Sequence, residues 1–238
     1  MKFYYDLHIH SCLSPCADDL MTPASIAGMA KLGGLDICAL TDHNSVKNCR
    51  AFSRACDFYG VIPLFGMELT TSEDVHMICL FSSLDTASEF GSFVDTVKIG
   101  YRNKPEIFGR QLIMDEDDNV VGEEENLLIN AAAVGIDEAY RRVVSLGGAC
   151  YPAHIDREAN GIISVLGAFP EDSGSYELNS ENDFDFYVRK YPHIANLRRV
   201  VCSDAHYIPD INDRMHYVEL DCEKSGAADA VIAYLRGV

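Results

Sequence analysis

Short apolar runs rich in β-forming residues alternate with segments that place apolar residues at helical spacing. The strands predicted from this pattern are 3–9, 35–40, 61–68, 75–81, 149–151, 175–178, 199–202 and 217–220. The predicted helices are 24–31, 45–59, 85–101, 136–146 and 227–235. This order is typical of an α/β fold, and it favours either a parallel barrel or a doubly wound sheet.

One long stretch breaks this order. Residues 103–130 have no clear period and carry the acidic sequences DEDD at 115–118 and GEEE at 122–125. A chain of 238 residues has the length of one domain with a single large core. We therefore interpret residues 1–238 as a single barrel-type domain with an irregular acidic excursion around 103–130.

Acidic residues outnumber basic ones, with 37 Asp and Glu against 19 Lys and Arg, and the formal net charge is −18. We therefore expect no long nucleic acid as a partner, because nonspecific binding to it depends on Lys and Arg neutralising phosphates. The chain lacks an apolar run of about 18 residues and a secretory signal, which predicts a cytoplasmic protein without membrane contact. Nine cysteines without a repeated CxxC pair indicate reduced thiols.

The histidines are concentrated at the ends of predicted strands. Six of the eight lie in, at or just after a strand, where α/β folds place their chemistry. These six are His8, His10, His43, His76, His154 and His206.

Two pairs of these positions have the spacing of chelating side chains. His8 and His10 are two residues apart, so a strand places both imidazoles on one face, and Asp204 and His206 repeat this spacing. Glu68 closes another predicted strand. Imidazole and carboxylate ligands suit zinc, manganese or iron, and a mixed set is typical of a catalytic site with open positions. A single HxH pair is equally consistent with an exposed strand face, but several such signals in order favour a metal site.

Six motifs of the chain resemble, in order, those of the polymerase and histidinol phosphatase (PHP) family. They are DLHIHS at 6–11, TDHN at 41–44, GME at 66–68, VH at 75–76, PAH at 152–154 and SDAH at 203–206. The resemblance implies a distorted (β/α)7 barrel of the TIM type, with up to three divalent metals at the C-terminal ends of the strands. It also implies hydrolysis of phosphoester bonds.

The resemblance further implies which residues hold two to three Zn, Mn or Fe ions. These are His8, His10, Asp18, His43, Glu68, His76, His154, Asp204 and His206. The position of Asp18 departs from the family pattern, since the chain reads SPCADD at 14–19. Counting back from Thr22-Pro23 favours Asp18, with Asp19 as the second choice and Cys16 as an alternative thiolate ligand.

The expected chemistry is attack on phosphorus by a hydroxide that bridges the metals, with Glu68, Asp204 and His206 as catalytic residues. His43 is an alternative to His206 for assisting the leaving group. Arg157 is a candidate substrate-binding residue, because guanidinium matches phosphate, although a surface pair with Asp156 or Glu158 would explain it equally well.

Asn44 is a second candidate substrate-binding residue, and turn chemistry is the alternative for it. We expect specificity to reside in the loops 82–147 and 155–175. The predicted function is a metal-dependent phosphoesterase, either a phosphatase or a phosphodiesterase, acting on a small phosphorylated metabolite or nucleotide. The alternatives are a metal-dependent hydrolase of an amide-type bond and a non-catalytic metal-binding regulatory barrel.

Overall fold

The structure is a computed structural model that describes residues 1–170, 173–180 and 184–238. Its strands are β1 (Lys2–Asp6), β2 (Ile37–Leu40), β3 (Ile62–Thr70), β4 (His76–Phe81), β5 (Leu112–Met114), β6 (Val120–Glu123), β7 (Ala149–Pro152), β8 (Ser175–Leu178), β9 (Arg198–Val201) and β10 (Tyr217–Glu219). Its helices are α1 (Pro23–Leu32), α2 (Cys49–Tyr59), α3 (Leu84–Val97), α4 (Pro105–Phe108), α5 (Ile136–Ser145), α6 (Ile162–Leu166), α7 (Phe184–Lys190) and α8 (Ala227–Leu235).

A six-stranded sheet with the order β10-β1-β2-β3-β4-β7 forms the centre of the fold, and β8 and β9 form a separate parallel pair. β1, β2 and β3 are parallel, whereas β4 is antiparallel to both β3 and β7, and β10 is antiparallel to β1. The fold is therefore mixed α/β, as the alternating order predicts. A purely parallel arrangement is wrong at β4, because the five-residue connection 71–75 is too short for a parallel crossover.

Period-two alternation gives the central sheet two buried faces. On one face Leu64 and Ile78 pack against Val231 and Leu235 of α8. On the other face Phe65 and the neighbouring outward side chains pack against helices α1, α2, α3 and α5. One face of the sheet is thus covered by a layer of four helices, and the other face is partly covered by α8. Polar side chains remain at one end of the strands.

The sequence signals for helix boundaries hold at α1. Thr22 is the N-cap and its hydroxyl accepts the Ser25 N–H at 3.2 Å, while Pro23 occupies the first helical turn. Gly33 ends the helix. The predicted helix 24–31 is therefore one residue shorter than α1 at each end.

The acidic excursion has regular structure that its sequence does not indicate. α4 and a hairpin of β5 and β6 lie within 103–130, and the Leu112 N–H donates to the Cys12 carbonyl at 2.8 Å. Asp115 accepts the N–H groups of Asp117 and Asn119 at 2.9 and 2.8 Å, so part of the acidic run is turn chemistry. Among the residues that the structure describes, no helix has the length and apolarity needed to cross a membrane.

Candidate metal centre

Strand direction brings the predicted ligands to one edge of the fold. His8 and His10 follow β1, His43 follows β2 and bridges to Glu68 in β3, and His154 follows β7. β4 runs in the opposite direction, so its first residue, His76, lies at the same edge and pairs with Thr70. Asp204 and His206 follow β9, and a parallel bridge between Ile9 and Ala205 holds that segment beside His8 and His10.

Three residues at this edge adopt left-handed backbone conformations, with φ of 48° at Asn44, 25° at His154 and 51° at Asp204. Such conformations are uncommon outside glycine and often accompany functional sites. The Asn44 carboxamide is held by the backbone: it donates to the Leu128 and Asn130 carbonyls at 2.6 and 2.8 Å and accepts the Thr70 N–H at 2.9 Å. These contacts fix the Asn44 carboxamide within the turn that follows β2, while its contact with substrate stays a prediction.

One group of four ligands is almost completely buried. The nearest ligand atoms of His8, His10, Glu68 and Asp204 lie within 4.8 Å of one another. The Nε2 atoms of His8 and His10 are 3.1 Å apart, and each lies 3.2 Å from Asp204 Oδ1. We call His8 and His10 the closed side of the centre, because both side chains are fully buried.

The remaining histidines surround the other side of Glu68. Its Oε1 lies 2.7 Å from His76 Nδ1 and 2.9 Å from His154 Nε2, and its Oε2 lies 3.1 Å from His43 Nδ1. His10, His43 and His206 form a further group of potential ligands. We call His43, His76, His154 and His206 the cavity side, because all four line a cavity of about 290 Å³.

The donor set fits divalent metal ions. His43 Nδ1 and Asp204 Oδ1 are buried, and the atoms near them are other potential ligands: Glu68 Oε2 at 3.1 Å from His43, and the Nε2 atoms of His8 and His10 at 3.2 Å from Asp204. Burying so many polar atoms together is costly unless something binds them, and these imidazole and carboxylate atoms are close enough to one another to share a metal ion. Nitrogen and oxygen ligands of this kind are those of zinc, manganese and iron sites.

The same crowding shifts the pKa values of the ligands. Burial lowers the pKa of His10, but hydrogen bonds to Asp204 and Glu68 raise it to about 9. Burial raises the pKa of Glu68, but the charges of His76 and His8 hold it well below its usual range. Burial and the charge of His10 lower the pKa of His206 to about 4. Protons and metal ions therefore compete for the same atoms.

Eight of the nine predicted ligands come together, and Asp18 does not. The Asp18 carboxylate accepts the Leu20 N–H at 2.8 Å, and its backbone N–H donates to the His206 carbonyl at 3.0 Å. Asp19 lies 3.6 Å from Arg110. Cys16, the third alternative, is exposed and lines the cavity.

Arg157 points into the cavity and forms an ion pair with Asp204. The alternative surface pair does not form with Asp156, whose carboxylate accepts the N–H groups of Asn179 and Ser180. Arg157 thus places its guanidinium at the wall of the cavity, next to the ligand cluster. Residues 171–172 of the predicted specificity loop 155–175 lie outside the described residues.

Three polar residues behind the closed side were missed by the sequence reasoning. Glu177 Oε1 accepts from His8 Nδ1 at 2.8 Å. The Ser14 hydroxyl contacts His10 Nδ1 at 3.0 Å and donates to Asp42 at 2.7 Å. Two features of the sequence could have indicated these residues. Glu177 is a carboxylate inside an apolar strand, and Asp42 directly precedes His43.

Comparison with known proteins identifies the family. The sequence profile of the PHP domain matches residues 6–180, and the chain therefore belongs to the PHP domain family. Members of this family are metal-dependent hydrolases, mostly phosphoesterases. The ligand-forming motifs before residue 180 all lie within the matched region, whereas Asp204 and His206 lie beyond it.

Individual relatives cover the chain to different extents. An error-prone DNA polymerase of Symbiobacterium thermophilum is 36% identical over 85 residues, which are 34% of this chain and 7% of that protein. The chain thus spans a small part of this curated relative. A Bifidobacterium adolescentis protein assigned as a metal-dependent phosphoesterase has the same fold, with a TM-score of 0.58, 17% identity and coverage of 98% of this chain and 96% of that one.

Two structures of DNA endonucleases also share the fold. The lesion-specific endonuclease of Pyrococcus furiosus has a TM-score of 0.62 and 17% identity, covering 100% of this chain and 56% of that one. Endonuclease Q bound to a 27-mer duplex with an abasic lesion has a TM-score of 0.55 and 20% identity, with coverage of 87% and 50%. The expectation that a long nucleic acid is excluded is therefore wrong: proteins with this fold act on duplex DNA, and net charge does not decide the question.

Proposed function

We propose that the protein is a metal-dependent phosphoesterase. The observation that carries the proposal is the convergence of six histidines, Glu68 and Asp204 at one strand edge, beside a cavity that Arg157 enters. Clustered nitrogen and oxygen ligands serve metal binding, and a guanidinium at the cavity wall adds affinity for phosphate. Together they define a site for an anionic ester.

The closed side, with Glu68 and Asp204, would hold one ion. Glu68 with His43, His76 and His154 would hold a second, and His206 with His10 and His43 a third, which gives two to three Zn, Mn or Fe ions. Bound ions of this kind neutralise charge on phosphoryl oxygens and make water a stronger acid. Asp18 is retained only as a ligand that would have to turn away from the Leu20 N–H.

The chain's own side chains account for orientation and charge at the reacting group. Arg157 would bind phosphoryl oxygens and orient the ester. His206, whose side chain is 23% exposed, faces the cavity and would present Nε2 to an ion there, because its Nδ1 lies 2.7 Å from the Asp204 carbonyl. Glu68, Asp204 and His206 are the proposed catalytic residues, and all three belong to the ligand cluster and line the cavity, as His43 and His76 also do.

The cavity admits a phosphoryl group with a small adjoining part of the substrate. A volume of about 290 Å³ lies at the lower end of the range for ligand pockets. The rest of a larger substrate must therefore lie outside the cavity. A nucleic-acid phosphodiester is the second candidate substrate, and the shared fold with the DNA endonucleases favours it.

We also propose that the strands close into a seven-stranded ring, β1-β2-β3-β4-β7-β8-β9, within a single domain. The Ile155 N–H donates to the Glu177 carbonyl at 2.9 Å beside the junction of β7 and β8. The bridge between Ile9 and Ala205 links the segments after β1 and β9. Both contacts lie at the edge that carries the ligands.

The test compares wild type with His8→Ala after removal of metals and reloading with Zn, Mn or Fe. Release of phosphate or nitrophenol is measured from monoesters and diesters, and release of nitroaniline is measured from amide-type anilides. Cleavage is measured with single-stranded and abasic duplex oligonucleotides. We expect metal-dependent turnover that His8→Ala abolishes. His216→Ala is the matched control, since His216 lines a different cavity with Arg198 and Tyr234.

The outcomes separate the alternatives. Turnover of any phosphoester that chelator removes and metal restores supports the proposal, and the preferred ester defines the substrate class. Metal binding together with hydrolysis of an amide-type substrate and inertness of all esters would overturn it in favour of the amide-type hydrolase. Metal binding without any hydrolysis would favour the regulatory barrel.

A further inference from the structure

Behind the closed side lies a set of buried polar residues that do not themselves contact the cavity. Glu177 is fully buried in β8, and one of its oxygens accepts from His8 Nδ1 at 2.8 Å. A carboxylate can only accept here, so the Nδ1 atom of His8 carries the proton. The Nε2 atom of His8 is then directed at the ligand cluster.

His10 is oriented in the same way, but by a hydroxyl group instead of a carboxylate. The Ser14 hydroxyl donates to Asp42 Oδ1 at 2.7 Å and accepts the His43 backbone N–H at 3.1 Å. Because its only proton is given to Asp42, Ser14 must accept from His10 Nδ1 at 3.0 Å. Asp42 is fixed in turn by the Ser11 N–H and hydroxyl at 2.7 and 2.6 Å.

We infer that Glu177, and Ser14 together with Asp42, are positioning residues that keep the Nε2 atoms of His8 and His10 directed at one metal position. Both Nδ1 protons have acceptors behind the rings, so both Nε2 atoms are available as ligands, and they lie 3.1 Å apart. This inference rests on the proposed metal-dependent function, since it concerns the same ligands.

The cavity side lacks a matching arrangement at His154. Its Nε2 faces Glu68 at 2.9 Å, while its buried Nδ1 has no hydrogen-bond partner within the described ranges. The ion held by the oriented histidines should therefore bind more tightly than an ion that depends on His154. The structure thus predicts a ranked set of metal affinities instead of equivalent sites.

The experiment measures zinc binding to the metal-free protein by competition with a chromophoric chelator. The variants are Glu177→Leu, Glu177→Gln, Ser14→Ala and Ser14→Thr, each checked for folding by circular dichroism and thermal unfolding. Loss of such an outer partner lowers metal affinity by about 10- to 100-fold. We expect Glu177→Leu and Ser14→Ala to weaken the tightest ion by that factor, and Glu177→Gln and Ser14→Thr to recover part of it.

A second readout distinguishes orientation from general damage. In the zinc-loaded protein, the Nδ1–H protons of His8 and His10 should give hydrogen-bonded NMR resonances, and each should disappear in the variant that removes its own acceptor. Glu124→Gln is the matched control, because the Glu124 carboxylate is also mostly buried but pairs with Lys47 and the Asn126 N–H instead of a ligand histidine.

The results separate failure of this inference from failure of the proposed function. If wild type binds no zinc, the proposed function fails together with the ligand assignment. If wild type binds zinc, and well-folded Glu177→Leu and Ser14→Ala bind the tightest ion as strongly with unchanged Nδ1–H resonances, only the positioning role is wrong. Weakening of the tightest ion in Glu124→Gln to the same degree would also overturn it.

Discussion

His8 and His10 are fully buried, and each has an acceptor behind its ring, whereas the side chains of His76 and His206 are 13% and 23% exposed and line the cavity. The two sides share Glu68, which contacts histidines of both. The closed side is therefore the side that we propose holds its ion more tightly. The cavity side has the access that substrate and exchanging ions need.

The two sides also differ in the elements that supply the residues around them. The partners of the closed side come from β8 and from the turn after β1, so they are as deeply buried as the ligands. The cavity side is instead bordered by Arg157 and Ile129 from loops. Orientation is thus provided by buried residues of β8 and of the turns after β1 and β2, and access to the centre is provided by loops.

The largest effect should come from Glu68→Gln, because this carboxylate contacts both sides. We expect loss of ions from both sides and a fall in turnover of about 1,000-fold or more, since metal ions supply several kcal/mol of transition-state stabilisation. Elemental analysis and the ester assay measure the two effects. His154→Gln should reduce only the more weakly held metal.

Glu138→Gln on the exposed face of α5 is the control for the change from carboxylate to amide. If Glu68→Gln retains the wild-type number of metal ions and the wild-type turnover, the shared role of Glu68 is wrong. If His154→Gln removes the tightest ion, the ranking of the two sides is reversed.

A smaller effect is expected from Arg157→Ala, which removes a guanidinium from the wall of the cavity. A hydrogen bond to a charged group contributes about 1.5–3 kcal/mol, so KM for a phosphoester should rise by about 10- to 100-fold. Arg157→Lys should recover only part of this loss, because Lys lacks the bidentate geometry. Arg141→Ala is the control, since Arg141 lies exposed on α5.

Metal content must be measured on the same samples, because Arg157 also pairs with Asp204. An unchanged KM at full metal content would contradict the role of Arg157 in substrate binding. A loss of metal would instead place Arg157 among the residues that hold Asp204 in position.

Much of this centre follows from sequence rules that concern strand ends. His8, His10 and Glu68 could be placed because a period of two defines one strand face and because strand ends carry chemistry in this fold class. Glu177 could not be placed, since its partner His8 is 169 residues away and a single sequence does not reveal that β8 comes close to the end of β1.

Other misses have local causes. Asp18 was chosen by counting from the helix start, but the turn in which Ala17 N–H bonds to the Ser14 carbonyl at 3.0 Å directs the carboxylate away from the cluster. The antiparallel direction of β4 could be inferred only from the short connection that precedes it. The hairpin of β5 and β6 was hidden because its turn consists of acidic residues that resemble a solvated loop.

The smallest effect concerns the wall of the cavity side. Glu124 accepts from Lys47 and from the Asn126 N–H, and the segment that follows carries Ile129 to the cavity. Burial alone would raise the pKa of Glu124. The hydrogen bonds from Lys47 and from the Asn126 N–H outweigh burial, so the pKa lies below its ordinary value of 4.5. A depressed carboxylate pKa stabilises the fold above pH 4.5, and this contribution is lost as the pH falls through the folded-state pKa.

Glu124→Gln should therefore lower the free energy of unfolding by under about 1 kcal/mol near neutral pH, because Lys47 is partly exposed. The difference from wild type should vanish in acid, below the folded-state pKa of Glu124. Denaturant unfolding of the metal-free protein at several pH values measures this, with Glu138→Gln as the exposed control. If the difference in unfolding free energy persists unchanged in acid, packing and not the ion pair stabilises this wall. The tightest metal ion should bind equally well to wild type and to Glu124→Gln.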